Sequence, residues 1–369
     1  MMRRSIAIFG CGFGVSKCVE IILSSRVASI ACVVPRLNAD GSPCMSGDLI
    51  DTAGRNSIPV LRAPNVNAPA FLEALAHLKP DLLCNWGHGQ LFGRALRDVA
   101  PLGCLNYHPG LLPFGRGSGP LQGAVMNDER AIGRTCHLMD DTFDGGVIAH
   151  AERFEINGTE YHDELSAKLA DGAEQFFVDG IAKCLSGDYE PSQIREFGRY
   201  HPKFSPGDDV IDWNATSEMV LRKIRSRGPS RGSVAYLSDK KTRVLIHVAE
   251  HSSVGDYHSV PGQVIDRGDR GTLVKTGDNA VWLTRASLDG AERFTPKFKI
   301  GTTFLRPSAG VLLDLVERLN ALEQSLAQTG EELLDPLFHC QCGEGRISRI
   351  HARPDADLHC TTCGADWVP

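Results

Sequence analysis

Two polar side chains stand two residues apart in an otherwise apolar run. Residues 103–109 read Gly-Cys-Leu-Asn-Tyr-His-Pro, which places Asn106 and His108 on one face of a short strand. Pro109 cannot donate to a central ladder, so the strand is expected to end there, at the carboxyl edge where open α/β sheets hold their ligands. Further on, Thr135 to Met139 reads as a strand and Asp140-Asp141-Thr142-Phe143-Asp144-Gly145-Gly146 as the turn-rich loop behind it. If the two strands are neighbours, Asp144 reaches His108. An asparagine amide can donate to a developing oxyanion, an imidazole titrates near neutrality and can move a proton, and a carboxylate can orient that imidazole or support its charge. Alone, each residue is more commonly a cap or a turn former; their joint occurrence points to chemistry.

The elements that must position this trio alternate in type. Ile6–Phe9, Ala28–Val34, Leu82–Asn85, Gly103–Tyr107 and Thr135–Met139 are strand candidates, and Ser16–Ser24, Ala68–Leu78 and His162–Cys184 are helix candidates. The alternation predicts an α/β, Rossmann-like domain with a mainly parallel sheet over residues 1–200. Gly10-Cys11-Gly12-Phe13-Gly14 is a G-x-G-x-G run with Val15 in the last glycine position of a dinucleotide fingerprint, so it reads as a tight turn. Residues 191–210 are polar and proline-bearing and read as a linker. A helix at Ser217–Arg225 and five short strand-like runs, separated by glycines and Asp-rich turns, predict a small OB-like β-barrel over 205–305. Residues 306–338 read as a helical linker. Its Leu312, Leu315, Leu319, Leu322 and Leu326 make one apolar stripe, which packs on its own domain or forms a short dimerising coiled coil.

The Asn106-x-His108-Pro-x-Leu-Leu-Pro-x-x-Arg116-Gly117 stretch, followed by Met139-Asp140 and Asp144-x-Gly146, resembles the formyltetrahydrofolate-dependent formyltransferases. The likeness extends through Asp212-Trp213 and the barrel-like segment, to about residue 305, and is similar to the carboxyl-terminal domain of methionyl-tRNA and amino-sugar formyltransferases. It implies that an amine attacks the formyl carbon of N10-formyltetrahydrofolate, with Asn106 donating to the oxyanion, His108 exchanging protons or donating to that oxygen, and Asp144 supporting the imidazole. It also implies that the folate donor lies against Trp86, Gly87, His88 and Leu91, the loop after the preceding strand, and near Asp140. Acceptor contacts are expected from Gly110, Leu111 and Arg116. Two departures stand out: Gly110 where a serine is common, and Phe114-Gly115 where a bulky aromatic usually precedes the arginine.

The acceptor is expected to be a small-molecule amine, a nucleotide-linked amino sugar above initiator tRNA. The tRNA enzymes carry a basic insert after the second strand, whereas Pro35–Pro43 holds one Arg and one Asp. Ala63-Pro64-Asn65-Val66-Asn67 and Phe197–Pro202 resemble stretches of bacterial amino-sugar formyltransferases. Net charge is −6, so the molecule has no general attraction to polyanions, and one local cluster, Arg222, Lys223, Arg225, Arg227 and Arg231, is either a phosphate-binding face or a solvated helix face. The related hydrolases use water, with an amino-terminal regulatory domain and no barrel, the reverse of this chain.

Hydrophobic residues make up 42% and charged residues 23%, as in a soluble enzyme; no signal peptide or membrane-spanning run is visible, so a cytoplasmic location is expected. Of twelve cysteines, eight are scattered and read mostly as small buried hydrophobes. The other four, Cys340, Cys342, Cys360 and Cys363, fall in residues 339–369 as C-x-C-G and C-x-x-C-G knuckles, with a loop of zinc-ribbon length between them. They are expected to hold a structural Zn2+, with His339 as an alternative to Cys340.

Overall fold

The computed structural model describes residues 3–194, 198–239, 242–253, 257–288 and 291–306, and the backbone of 347–349, 358–360 and 366–367. The first half of the chain runs β1 (Ser5–Gly10), α1 (Phe13–Ser25), β2 (Ser29–Pro35), α2 (Gly47–Arg55), α3 (Pro69–His77), β3 (Leu82–Trp86), α4 (Arg94–Arg97), β4 (Cys104–His108), α5 (Pro120–Met126), β5 (Ala131–Leu138), β6 (Val147–Glu155), α6 (His162–Ala170), α7 (Ala173–Ser186) and β7 (Ser192–Gln193). The strands form one sheet in the order β2-β1-β3-β4-β5-β6-β7. Pairing is parallel from β2 to β4 and antiparallel from β4 to β7.

Burial explains the choice of elements. Ile6, Ile8, Leu82 and Cys84 pack below the sheet against Val15, Val19 and Ile22 of α1 and Phe177 and Ile181 of α7. Ala7, Phe9 and Leu83 pack above it against Phe71, Leu75 and Leu96. Strands covered on both faces need a continuous apolar run, which is what the sequence supplies here. The single helix expected over His162–Cys184 is instead two. Gly172 takes the left-handed conformation (φ 64°) between them, and the buried Arg134 guanidinium occupies the carbonyls of Leu169 and Asp171 at the break.

The second half has α8 (Ser217–Arg231), β8 (Ser233–Tyr236), β9 (Arg243–His251), β10 (Val264–Gly268), β11 (Gly271–Lys275) and β12 (Ala280–Leu288), paired antiparallel in the order β10-β11-β12-β9-β8. Residues 301–305 bond to both edges: Gln263 pairs with Thr303 beside β10, and Leu237 with Phe304 beside β8. This irregular segment removes the free edges and makes the sheet barrel-like. Trp213 is fully buried in the core beside Phe304, with ring centroids 5.2 Å apart. Burial of such a side chain contributes roughly 2–3 kcal/mol. α8 packs on α5 and α6 of the first sheet's layer. It bends at Gly228-Pro229, where Gly228 has φ 71° and the Ser230 N–H donates to Asp163 at 2.8 Å.

Three short strands, β13 (Ile347–Arg349), β14 (Leu358–Cys360) and β15 (Asp366–Trp367), pair antiparallel in chain order. The leucine stripe, Cys340, Cys342 and Cys363 lie outside the described residues, and Cys360 is described only as the last backbone position of β14. Among the described residues, no cluster of three or more His, Cys, Asp or Glu can hold a metal ion, and no helix is long and apolar enough to cross a membrane.

Candidate active site

The site begins with a row of polar side chains laid across three strands. Asn85 of β3, Asn106 of β4 and His137 of β5 occupy directly paired positions. Asn85 Nδ2 donates to Asn106 Oδ1 at 2.8 Å, and Asn106 Nδ2 lies 3.0 Å from His137 Nε2. His137 Nδ1 lies 2.7 Å from the Gly145 carbonyl, an acceptor only, so Nδ1 carries the proton and Nε2 accepts from Asn106. Burial, with His108 beside it, holds the His137 imidazole at a pKa of about 4, so it is neutral and stays an acceptor near neutral pH. The chain of bonds fixes which end of the Asn106 amide is nitrogen. One of its N–H groups goes to His137, and the other is free for a ligand oxygen.

His108 projects from the same face two residues on. Its Nε2 donates to the Gly115 carbonyl at 2.6 Å, and its Nδ1 faces Asp144 Oδ1 at 3.6 Å. Asp144 is held by the Gly117 N–H, which donates to its other oxygen at 2.6 Å. It adopts φ 48°, a conformation aspartate tolerates better than branched residues. β5 runs antiparallel to β4, so the loop after β5 leaves near the start of β4 and must fold back over the sheet face to deliver Asp144. Two arginines hold that loop: Arg97 donates to the Asp140 carbonyl and Arg116 to the Phe143 carbonyl.

This arrangement can stabilise an oxyanion beside an imidazole–carboxylate pair. Residues 27–181 match the "Formyl transferase" family and residues 203–299 the "Formyl transferase, C-terminal domain", together more than half of the chain. The chain belongs to the formyl transferase family. A methionyl-tRNA formyltransferase of Syntrophus aciditrophicus is 27% identical over 300 residues, 79% of this chain and 94% of that protein. An N-formyltransferase of Helicobacter canadensis, solved in complex with folinic acid and dTDP-3-aminofucose, shares the fold at a TM-score of 0.57 and 17% identity, over 79% of this chain and all (100%) of that one. HypX from Aquifex aeolicus, solved with tetrahydrofolic acid, shares it at 0.50 and 20% identity over 85% of this chain, which spans 47% of that protein.

Within this formyl transferase the other expected contacts fall out unevenly. Leu91 is 59% exposed and open to a ligand. Trp86 is not: strand alternation turns it to the face opposite Asn85, where it stacks on Tyr107 at 4.1 Å and fills the space beside Gly14. His88 is also turned away. It is fully buried edge-on against Phe9 and Phe92, and burial with Arg36 nearby lowers its pKa to about 4. Gly87 takes φ 61°, giving the loop its turn. The loop is tied to the stretch before α3: Gln90 bonds the Pro64 carbonyl and the Val66 N–H, and Asn67 bonds the Leu91 carbonyl.

Asp140 spends its carboxylate on the N–H and hydroxyl of Thr142, shaping the loop. Leu111 packs down against Gly133 of β5 and away from the opening. A Cβ on Gly110 would lie 2.3 Å from the Gly115 carbonyl and 2.5 Å from His108 Nε2. Glycine there lets the His108–Gly115 bond form, and the paired departure, Gly110 with Gly115, is one packing solution. The residues missed from sequence are Asn85 and His137. The polar alternation of β5, Thr135 then His137, was the available signal, since both lie on one face with Asn106 and His108 opposite.

Four of the five cations in the α8 cluster are engaged inside the protein, and the fifth, Arg231, stands exposed at the helix end. Arg222 bonds Asp128 at 3.0 Å and Glu218 at 2.9 Å, Arg225 bonds Glu218 at 2.9 Å, Arg227 bonds Asp209 at 2.8 Å, and Lys223 bonds the Asp208 carbonyl at 2.5 Å. The bonds to Asp128, Asp208 and Asp209 join α8 to its neighbours, and those to Glu218 lie within the helix.

Proposed function

We propose that the chain transfers the formyl group of N10-formyltetrahydrofolate to the amine of a small acceptor, a nucleotide-linked amino sugar, using Asn106, His108 and Asp144. The observation that carries the chemistry is the convergence of an amide with one N–H left for a ligand, an imidazole and a carboxylate on one sheet face. The amine nitrogen attacks the formyl carbon, and the free Asn106 N–H donates to the resulting oxyanion. His108 donates from Nε2, so Nδ1 takes up the amine proton, and Asp144 stabilises the charge beside it. The proton passes on to N10 of tetrahydrofolate as the carbon–N10 bond breaks. Leu91 and Gly87 line the donor side and Arg116 braces the acceptor side.

The internal pairing of Arg222, Lys223, Arg225 and Arg227, which leaves Arg231 as the one exposed member of the cluster, supports a small acceptor over RNA, whose phosphates need free cationic groups. Methionyl-tRNA is the second reading, favoured by the relative that matches over nearly its full length. Transfer of radiolabelled formyl to a panel of nucleotide-linked amino sugars, small amines and charged initiator tRNA, with His108→Ala as control, tests both. Label on an amino sugar is the expected result; label on tRNA alone replaces the acceptor, and label-free acceptors with free formate replace transfer by hydrolysis.

We further propose that Cys340, Cys342, Cys360 and Cys363 hold one structural Zn2+ in a ribbon built on β13–β15. The knuckle spacing and the antiparallel pairing, with Cys360 at the end of β14, support it. Elemental analysis of the purified chain is expected to give one zinc per molecule, lost in Cys360→Ser.

A further inference from the structure

Two loops flank the site and come from distant parts of the chain. One, Gly87–Phe92, follows β3; the other, Asp140–Gly146, follows β5 and carries Asp144. A single side chain bonds both. Arg97, the last residue of α4, has its side chain only 12% exposed. Its Nη1 donates to the Phe92 carbonyl at 3.1 Å and to the Asp140 carbonyl at 2.6 Å, and its Nη2 pairs with the Asp141 carboxylate.

We infer that Arg97 is a positioning residue that sets the spacing of these two loops and thereby the placement of Asp144 against His108. A guanidinium presents five N–H donors spread over a rigid plane, so two of its nitrogens reach two carbonyls and a carboxylate here, whereas a lysine has its three donors on one nitrogen. Its backbone partners matter more than Asp141, whose side chain is 71% exposed and whose ion pair is screened by solvent. From Asp140 to Asp144 the path is short and stiffened: Asp140 caps Thr142, and Arg116 holds the Phe143 carbonyl. A shift at the Arg97 end is therefore passed to the carboxylate 3.6 Å from His108. Arg97 touches neither donor nor acceptor in this role; it acts through the loops.

The inference rests on the proposed formyl transfer, and its test has one arm that does not. Arg97→Ala, Arg97→Lys and Asp141→Asn are compared with the unaltered protein. Deuterium uptake, which needs no activity, is expected to rise in Arg97→Ala over both 87–92 and 139–146, with the rest of the chain unchanged. In kinetics, Arg97→Ala is expected to lose on the order of 10–100-fold in kcat/KM with the acceptor KM unmoved, since small misplacements of catalytic groups carry penalties of that size. Arg97→Lys should recover part of the loss, and Asp141→Asn should stay within about threefold of the unaltered protein. Unchanged uptake in both loops overturns the inference, whatever the activity. So does a raised uptake with kcat and KM unaltered for both substrates. Absence of formyl transfer by the unaltered protein, with uptake rising in both loops, removes the proposed function and leaves Arg97 as the bridge between them.

Discussion

Asn106 is held at both ends of its amide, by Asn85 on the oxygen and His137 on the nitrogen, so its remaining N–H has one direction in which to point. Asn106→Ala is expected to lower kcat about 100–1,000-fold with little change in acceptor KM, because one preorganised oxyanion donor is lost; steady-state rates check it. Two buried histidines, His88 and His137, make a second prediction. His88 and His137 have folded-state pKa values of about 4, against about 6.5 for an exposed imidazole. Between those values the unfolded chain binds more protons than the folded one, so stability rises with pH. It is complete above about pH 6.5 and is lost as pH falls towards 4, at about 1.4 kcal/mol per unit for each histidine. Urea unfolding at pH 7, 6 and 5 measures the slope, and His88→Leu, in its setting of Phe9 and Phe92, should reduce it by up to about 1.4 kcal/mol per pH unit.

The strands carry most of the polar side chains of the site, and the loops between elements shape the space around them. Gly110 lies where the Gly115 carbonyl and the His108 ring leave no room for a Cβ. Gly110→Ala is expected to break the His108 Nε2–Gly115 bond and lower kcat by at least about tenfold while thermal unfolding shifts by a few degrees. Replacement by alanine with full activity would show that the loop relaxes freely. The strands themselves were legible because their burial on both faces forces apolar runs, and Asn106 and His108 interrupted one such run. The direction of β5 was not legible. An eight-residue strand (Ala131–Leu138) reads the same way up or down, and only the closed sheet shows it antiparallel to β4. The break between α6 and α7 was hidden for a similar reason: a distant side chain, Arg134, takes the carbonyls that a continuous helix would use.

Across the assembled chain, the ion pairs of α8 tie the barrel-like sheet to the first one. Arg227 and Asp209 are only 13% and 16% exposed, and Arg222 reaches Asp128 in the turn after α5. Arg227→Ala is expected to destabilise the fold by roughly 1–3 kcal/mol, as loss of a charge-assisted bond to a half-buried carboxylate does, and to leave any affinity for tRNA unaltered. Calorimetry and filter binding on the same protein separate the two effects; a protein of undiminished stability that has lost tRNA binding would reverse the assignment of the acceptor.

The sequence by itself made legible the alternating α/β pattern, a small all-β barrel and the candidate trio, the first two written in local spacing, with period two in strands and glycine and proline at turns, and the third in two short polar motifs that resemble a family's. Tertiary structure alone decided the orientation of the Asn106 amide, the burial of His88, the turning of Trp86 into the core and the ion pairing of Arg222, Arg225 and Arg227. Each of these depends on which distant carbonyl, carboxylate or ring comes to lie against a side chain. That is fixed when the sheet closes, and no local spacing records it.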